Sequence, residues 1–124
     1  MMKINEIFKY ASCKNAADLD RQIANFAKEC APGITDKEVE TDIQLRNKSG
    51  EGLMSSDVLA IHVQDKKVVK DTVIYLTLTS PFNYFSDYFK KKFVISKVVV
   101  IIVNPQHKLD SLTKLTDFVI NKNK

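Results

Sequence analysis

Lys97-Val98-Val99-Val100-Ile101-Ile102-Val103 is the stretch of this chain that decides its fold. Six β-branched apolar residues follow one another there, without the alternation of apolar and polar residues that marks a strand with one solvated face. Such a continuous run is typical of a strand that other elements cover on both faces. The sequence therefore predicts a central strand over 97–103 in a sheet that is buried on both sides.

The residues after this run predict a helix. Asn104 is a favoured cap residue, and Pro105 is favoured at the first helical position. Apolar residues then recur with the spacing of one helical face, at Leu109, Leu112, Leu115, Phe118 and Val119. We expect a helix from Pro105 to Val119 that packs on the sheet.

Earlier segments supply candidates for further strands. The stretch 72–79 alternates and is rich in β-branched residues, and we expect this strand to end at Ser80-Pro81. A short apolar run over 58–63 predicts a buried strand, and a short strand is also expected around 7–10. The aromatic segment from Phe82 to Phe93 has no clear period, and we predict a loop with a helical turn.

Two helices are expected before these strands. Asn15 can cap the first, whose apolar residues recur at helical spacing. Thr35 and Glu38 have the spacing of a capping box, which predicts the start of the second. Arg46 then lies in the last turn of this helix, on the same side as its apolar residues. The glycines and serines of 47–57 predict a loop.

Composition indicates one domain over residues 1–124. The chain is 44% apolar and 27% charged, which is ordinary for a globular domain of this length. Its formal net charge is +4, but the lysines are spread along the chain and are not repeatedly interleaved with aromatic residues. We therefore expect no direct binding to nucleic acid, while an acidic protein partner or a phosphorylated ligand is favoured.

Cofactors and membrane segments are not predicted. Cys13 and Cys30 are seventeen residues apart, with no Cys-x-x-Cys pattern and no neighbouring histidine, so we expect reduced thiols and no metal site. The first residues lack the apolar region of a signal peptide, and no apolar run approaches the length that spans a membrane. These features indicate a cytoplasmic protein without membrane insertion.

Three residues carry a resemblance to a known family. Arg46 precedes His62 by sixteen residues, His62 lies near the end of a short apolar strand, and His107 follows the strongest strand. This order of residues resembles the active-site region of enzyme IIA of the mannitol/fructose type, from the phosphoenolpyruvate-dependent sugar phosphotransferase system. The resemblance extends from about Asn15 to about Val119. It implies an α/β fold, a three-layer sandwich in which helices flank a mixed β-sheet.

The resemblance also implies a function. His62 would accept a phosphoryl group from the phosphocarrier protein and pass it to an enzyme IIB. His107 would contact the phosphoryl oxygens or fix the tautomer, and Arg46 would act as an electrostatic clamp. Histidine suits this relay because its neutral form is available near pH 7, and cationic groups stabilise the phosphoryl oxygens. The two imidazoles are then expected to lie close enough to contact one phosphoryl group.

Departures from the family motif keep two other hypotheses open. Asn47 stands where the family has Glu, and Ile61 where it has Pro. In the later part of the loop, where the family has glycine, this chain has Ser55, Ser56 and Asp57. These residues favour a IIA-like regulatory or interaction module in which the relay is weakened or lost. The family usually continues beyond the last helix, so an exposed surface for a partner or a second copy is expected here. The third hypothesis is an unrelated α/β domain that binds a protein through the segment from Phe82 to Phe93.

Overall fold

A computed structural model of the chain describes residues 3–48 and 52–120. These residues form five strands and three helices, as in a mixed α/β domain. The elements in chain order are β1 (Asn5–Ala11), α1 (Ala16–Cys30), α2 (Asp36–Asn47), β2 (Leu53–Ser55), β3 (Val58–Gln64), β4 (Thr72–Ser86), β5 (Lys91–Val103) and α3 (Leu115–Ile120). Among the described residues, no helix is both long and apolar enough to cross a membrane.

The five strands form one mixed sheet in the order β1-β4-β5-β3-β2. β1 is parallel to β4 and β3 is parallel to β5, whereas the β4–β5 and β2–β3 pairs are antiparallel. β5 is the middle strand, and Val98, Val99 and Val100 are fully buried. The prediction of a central strand covered on both faces is confirmed, as is the short strand near the beginning of the chain.

Each face of the sheet has its own apolar core. On the first face, α1 and α2 cover alternate residues of β3, β4 and β5, such as Ile61, Leu76 and Val100. On the second face, Phe118 of α3 and the segment before it cover the remaining alternate residues, such as Tyr75 and Val99. The predicted mixed sheet flanked by helices is therefore confirmed at the level of the architecture.

The first two helices begin where the sequence predicts. The Asn15 side chain accepts a hydrogen bond from the Asp18 N–H at 2.9 Å. Thr35 and Glu38 form both hydrogen bonds of a capping box, at 2.9 and 3.1 Å. Arg46 lies in the last turn of α2, as expected.

The prediction that β4 ends at Ser80-Pro81 is wrong, and so is the prediction of a loop over 82–93. β4 continues to Ser86 and forms a hairpin with β5, whose first residue is Lys91. The pairing register shifts between Thr77 and Phe82, so Pro81 lies in the irregular stretch, where a missing N–H donor is tolerated. Beyond it, Phe82 pairs with Ile95, and both side chains are buried, which stabilises the extended hairpin.

The predicted helix from Pro105 to Val119 is also wrong over most of its length, because only α3 is helical there. Asn104 uses its side chain differently: its oxygen accepts from the Gln106 N–H at 2.9 Å, and its amide donates to the carbonyls of Lys66 and Val68, each at 3.1 Å. This arrangement is an asparagine turn rather than a helix cap. Leu109 and Leu112 still pack on the second core, from non-helical chain.

Two charged residues hold this C-terminal segment against the sheet. The Glu6 carboxylate accepts hydrogen bonds from the Tyr75 hydroxyl, from the N–H and hydroxyl of Thr113 at 3.1 and 2.7 Å, and from the Lys114 N–H at 3.0 Å. Burial would raise the pKa of Glu6, but these donors lower it to about 2. The buried Lys97 ammonium donates to the Phe118 carbonyl at 2.8 Å.

The loop predicted over 47–57 contains the short strand β2, which pairs with the start of β3. Residues 49–51 lie outside the described residues. Gly52 approaches β3 closely: the Ala60 N–H donates to the Gly52 carbonyl at 2.6 Å, and a Cβ at position 52 would lie 1.8 Å from the Ala60 carbonyl oxygen. A side chain at this position would therefore push the backbone away from β3.

Candidate functional site

The residues of the predicted site belong to one end of the sheet. β3 and β5 are parallel and end at Gln64 and Val103, while the antiparallel β4 begins beside them at Thr72. His62 and His107 therefore lie near the carboxyl ends of two neighbouring parallel strands. Ligands of open α/β sheets bind at such carboxyl ends.

His62 is half-buried on β3, opposite Ile101 of β5. Burial lowers the pKa of His62 from its usual 6.5, and the nearby positive charge of Arg46 lowers it further. Both causes disfavour the imidazolium form. His62 is therefore a neutral imidazole at pH 7, which is the form that can act as a nucleophile.

Three charged residues of α2 lie beside the residues at the end of β3. Glu38, Asp42 and Arg46 recur every four residues, so they lie along one side of the helix. Glu38 forms an ion pair with Lys67 at 2.8 Å, and the charge of Arg46 acts on His62. The charge of Arg46 thus reaches His62 in the folded chain, while its role as an electrostatic clamp stays a prediction.

The middle residue of this row, Asp42, meets a second carboxyl group. Burial raises the pKa of Asp42, and a hydrogen bond with Asp65 and the negative charges of Asp65 and Glu38 raise it too; together they bring it to about 7. The Asp42 Oδ2 atom is buried and has no hydrogen-bond donor among the described residues. A protonated Asp42 carboxyl group can donate to Asp65, whereas two ionised carboxylates cannot hydrogen bond to each other.

His107 is held by Asp71, a residue that the sequence analysis did not single out. The Nδ1 atom of His107 lies 2.6 Å from Asp71 Oδ2, and the Asp71 side chain is only 2% exposed. The other carboxylate oxygen accepts from the Asn104 N–H at 2.8 Å. A carboxylate at Nδ1 selects the tautomer that carries its proton there, leaving Nε2 with a lone pair. Because Asp71 and His107 are 36 residues apart, only the fold reveals the pair.

His107 is therefore not a residue of a helix N-terminus, as the sequence predicted, but part of a turn. Its own N–H donates to the Asn104 carbonyl at 3.1 Å. The support expected from a helix dipole is replaced by the Asp71 carboxylate. The close approach of His62 and His107 stays a prediction.

The cysteines and the acidic residues do not form a metal site among residues 3–48 and 52–120, where no group of three or more His, Cys, Asp or Glu residues could hold an ion. Cys13 and Cys30 are buried and unpaired with each other, and the Cys30 thiol donates to the Thr72 hydroxyl at 3.4 Å. Burial, followed by the charge of Asp18, raises the pKa of the Cys13 thiol. A raised pKa makes this thiol a poor nucleophile.

Comparison with known proteins gives one kind of match. Neither a scan against protein-family models nor a search of curated proteins found a match. Among solved structures, the chain is similar to the nitrogen regulatory protein IIA-Ntr from Neisseria meningitidis, with a TM-score of 0.60 and 15% sequence identity. The alignment covers 94% of this chain and 73% of that chain. At this identity the likeness shows a shared fold, so the IIA-like fold is confirmed, and the mannitol/fructose subtype stays a prediction.

Proposed function

We propose that this chain is a phosphocarrier of the sugar phosphotransferase system, of the mannitol/fructose type. In this proposal it works in the cytoplasm, accepts a phosphoryl group on His62 from the phosphocarrier protein, and passes it to an enzyme IIB. The observation that carries the proposal is the state of His62: a half-buried imidazole kept neutral by burial and by Arg46, near the carboxyl end of a strand in a IIA-like fold.

The transfer is a displacement at phosphorus. The lone pair of a neutral His62 ring nitrogen attacks the phosphorus and a new N–P bond forms, while the bond from phosphorus to the donor atom of the phosphocarrier protein breaks with its electron pair staying on that atom. The donor atom takes up a proton as it leaves, and the other ring nitrogen of His62 releases its proton. The step needs no proton removal at the attacking atom, because the neutral imidazole already has a lone pair there. A lowered pKa therefore keeps the acceptor ready across neutral pH.

Arg46 and His107 serve the same step from two sides. The guanidinium of Arg46 stabilises the negative charge spread over the phosphoryl oxygens. Such stabilisation matters because catalysis of phosphoryl transfer consists mainly of positioning and electrostatic stabilisation. His107, oriented by Asp71, either accepts the N–H of His62 and fixes its tautomer or, when protonated, donates to a phosphoryl oxygen. Both roles use Nε2 of His107, because Nδ1 is already hydrogen bonded to Asp71.

The direct test is phosphorylation in vitro. The folded protein is incubated with phosphoenolpyruvate, enzyme I and the phosphocarrier protein, and its intact mass is measured. We expect the gain of one phosphoryl group that is stable to base and labile to acid, as phosphohistidine is. His62→Ala, with its fold checked by circular dichroism, is the matched control and should gain nothing. Phosphorylation of the His62→Ala protein to the same extent would contradict the assignment.

A second candidate function is regulation by a IIA-like module. One specific observation favours it: the IIA-Ntr structure, which has a similar fold, is named a nitrogen regulatory protein. Ile61 lacks the ring by which proline fixes the backbone before the family's histidine. Ser55 and Ser56 lack the φ freedom that glycine has in the family's loop. An unmodified wild-type protein after long incubation with a donor system that phosphorylates a known IIA would favour this second function.

A further inference from the structure

The end of the sheet opposite the histidines is a two-stranded arm. β1 pairs with β4 only over 72–78 and β3 pairs with β5 only over 97–103, whereas β4 and β5 continue to pair as far as Ser86 and Lys91. β5 has thirteen residues from Lys91, at the arm's far end, to Val103, a strand length of roughly 40 Å. The arm therefore projects away from the candidate site.

The end of this arm, residues 85–92, exposes aromatic and cationic side chains together, and we call it the hairpin tip. Tyr88 is 77% exposed, Phe89 55% and Phe85 52%. Three consecutive lysines, Lys90–Lys92, follow the aromatics and are exposed too. With Asp87 as the one acidic residue of the tip, its formal charge is +2. Large apolar side chains exposed in a cluster mark an interaction site more often than single ones do.

The exposed aromatics are held in an ordered turn. The Ser86 side chain is buried, its hydroxyl accepts from the Phe89 N–H at 3.0 Å, and its carbonyl accepts from the Lys90 N–H at 2.8 Å. Lys90 has a φ of 57°, the left-handed conformation that closes the turn. The Tyr88 and Phe89 rings meet edge to face at 5.0 Å, and Phe89 packs on Phe93 at 5.8 Å. Because these rings support one another, little conformational entropy remains to be lost on binding.

We propose that the hairpin tip binds the surface of a membrane that contains anionic lipids. Tyrosine and phenylalanine favour the boundary between headgroups and acyl chains, and lysines bury their stems there while their ammonium groups contact anionic headgroups. The binding is peripheral: a few side chains of the tip enter the interface.

The shape and charge of the tip favour a lipid surface over two other occupants. A second copy of this chain would bring the same three lysines, and like charges facing each other are destabilising. An acidic protein would need a preformed cleft that matches a convex tip, whereas lipid headgroups rearrange around it. The proposal does not depend on phosphotransfer. It leaves the histidine end of the sheet facing away from the membrane, accessible to protein partners.

The test is co-sedimentation of the full chain with vesicles of phosphatidylcholine, or of phosphatidylcholine mixed with an equal part of phosphatidylglycerol. We expect binding to the mixed vesicles and much weaker binding to the neutral ones. The double variant Tyr88→Ser, Phe89→Ser should lower the partition coefficient by about tenfold or more. Replacing Lys90, Lys91 and Lys92 by Gln should lower it by about fivefold for each lysine.

Two matched variants control for general loss of apolar surface or charge. Tyr10→Ser removes an aromatic side chain that is 73% exposed on β1, far from the tip. Replacing the exposed Lys14, Lys37 and Lys66 by Gln removes the same charge as the lysine variant of the tip. Both controls should bind mixed vesicles within about twofold of wild type, and circular dichroism should show every variant folded.

Three results would overturn the proposal. The first is no sedimentation of the wild-type protein with mixed vesicles. The second is an equal loss of binding in the control lysine variant, which would mean that net charge alone is responsible. The third is binding to soluble polyglutamate that depends on the tip, without binding to vesicles, which would assign the tip to an acidic protein.

Discussion

His62 and His107 lie at the same end of the sheet, but the fold holds them by different means. His62 is on a regular strand, and its surroundings act on it through burial and the charge of Arg46. His107 is in a turn, and a hydrogen bond of 2.6 Å from its Nδ1 atom to Asp71 orients it. The first environment favours the neutral form of His62, and the second sets the tautomer of His107. The fold thus controls the protonation of one histidine and the tautomer of the other through separate contacts.

The largest expected effect separates the two histidines directly. His62→Ala should abolish phosphorylation, whereas His107→Ala should slow it by about 10²-fold, because it removes one stabilising group and leaves the nucleophile. Initial rates of phosphoryl gain, measured by intact mass, give the comparison. Equal and complete loss in both variants, each folded, would show that the two imidazoles act as one unit.

Arg46→Ala tests the electrostatic part of the His62 environment. We expect transfer to slow by about 10²-fold, since the phosphoryl oxygens lose a cation. The pKa of His62 should rise, because a positive charge that disfavours the imidazolium has been removed while burial remains. NMR titration of the His62 ring protons measures this change. Arg46→Lys, which keeps the charge, is the control, and an unchanged pKa in Arg46→Ala would remove Arg46 from the site.

Asp71→Asn tests how His107 is oriented. The asparagine oxygen can still accept from the Asn104 N–H, so its amide group would face His107 and donate to Nδ1. The proton of His107 then moves to Nε2, the opposite tautomer. We expect transfer to slow by about tenfold, as for groups that orient a ligand indirectly. The ¹⁵N shifts of the His107 ring report the tautomer, and an unchanged tautomer with a slower rate would contradict this role.

The smallest expected effect concerns the pH dependence of stability. The raised pKa of Asp42 means that the folded chain keeps a proton that the unfolded chain releases above about pH 3.8, so this group's contribution to stability is lost as the pH rises through about 7. Asp42→Asn cannot lose that proton. It should be more stable than wild type at pH 8 by about 1 kcal/mol, a value reduced for solvent screening.

Urea unfolding at pH 5 and pH 8 measures this difference. The variant and the wild type should be closer in stability at pH 5 than at pH 8. Asp110→Asn, at an exposed position, is the control and should change neither value. A pH-independent difference between the Asp42→Asn protein and the wild type would contradict a proton kept on Asp42 in the folded chain.

The parts of the fold that were predicted correctly depend on neighbours in the sequence. The Asn15 cap and the capping box of Thr35 and Glu38 need only residues three positions apart. The run over 97–103 needs only its own composition to indicate a buried strand. In each case the physical cause lies within a few residues, so the sequence is sufficient.

The errors have the opposite cause. Asn104 and Pro105 have the composition of a helix start, but the Asn104 amide donates to carbonyls 38 and 36 residues away. Pro81 suggests the end of a strand, yet buried partners across the hairpin let the strand continue past it. Asp71, the partner of His107, lies between Lys70 and Thr72, and these neighbours form no sequence motif that marks it as a site residue. Tertiary contacts decide all three, and no local pattern encodes them.

The contacts of Glu6 have a consequence for the order in which this protein folds. Its carboxylate, on β1, binds Thr113, which is 107 residues later in the chain. The second face of the sheet cannot close until these two distant segments meet, and ordering so long a loop is slow compared with forming the β4–β5 hairpin or the capped helices. We expect this face to form last during folding. For the same reason it is expected to open first in native-state hydrogen exchange, ahead of the face that α1 and α2 cover.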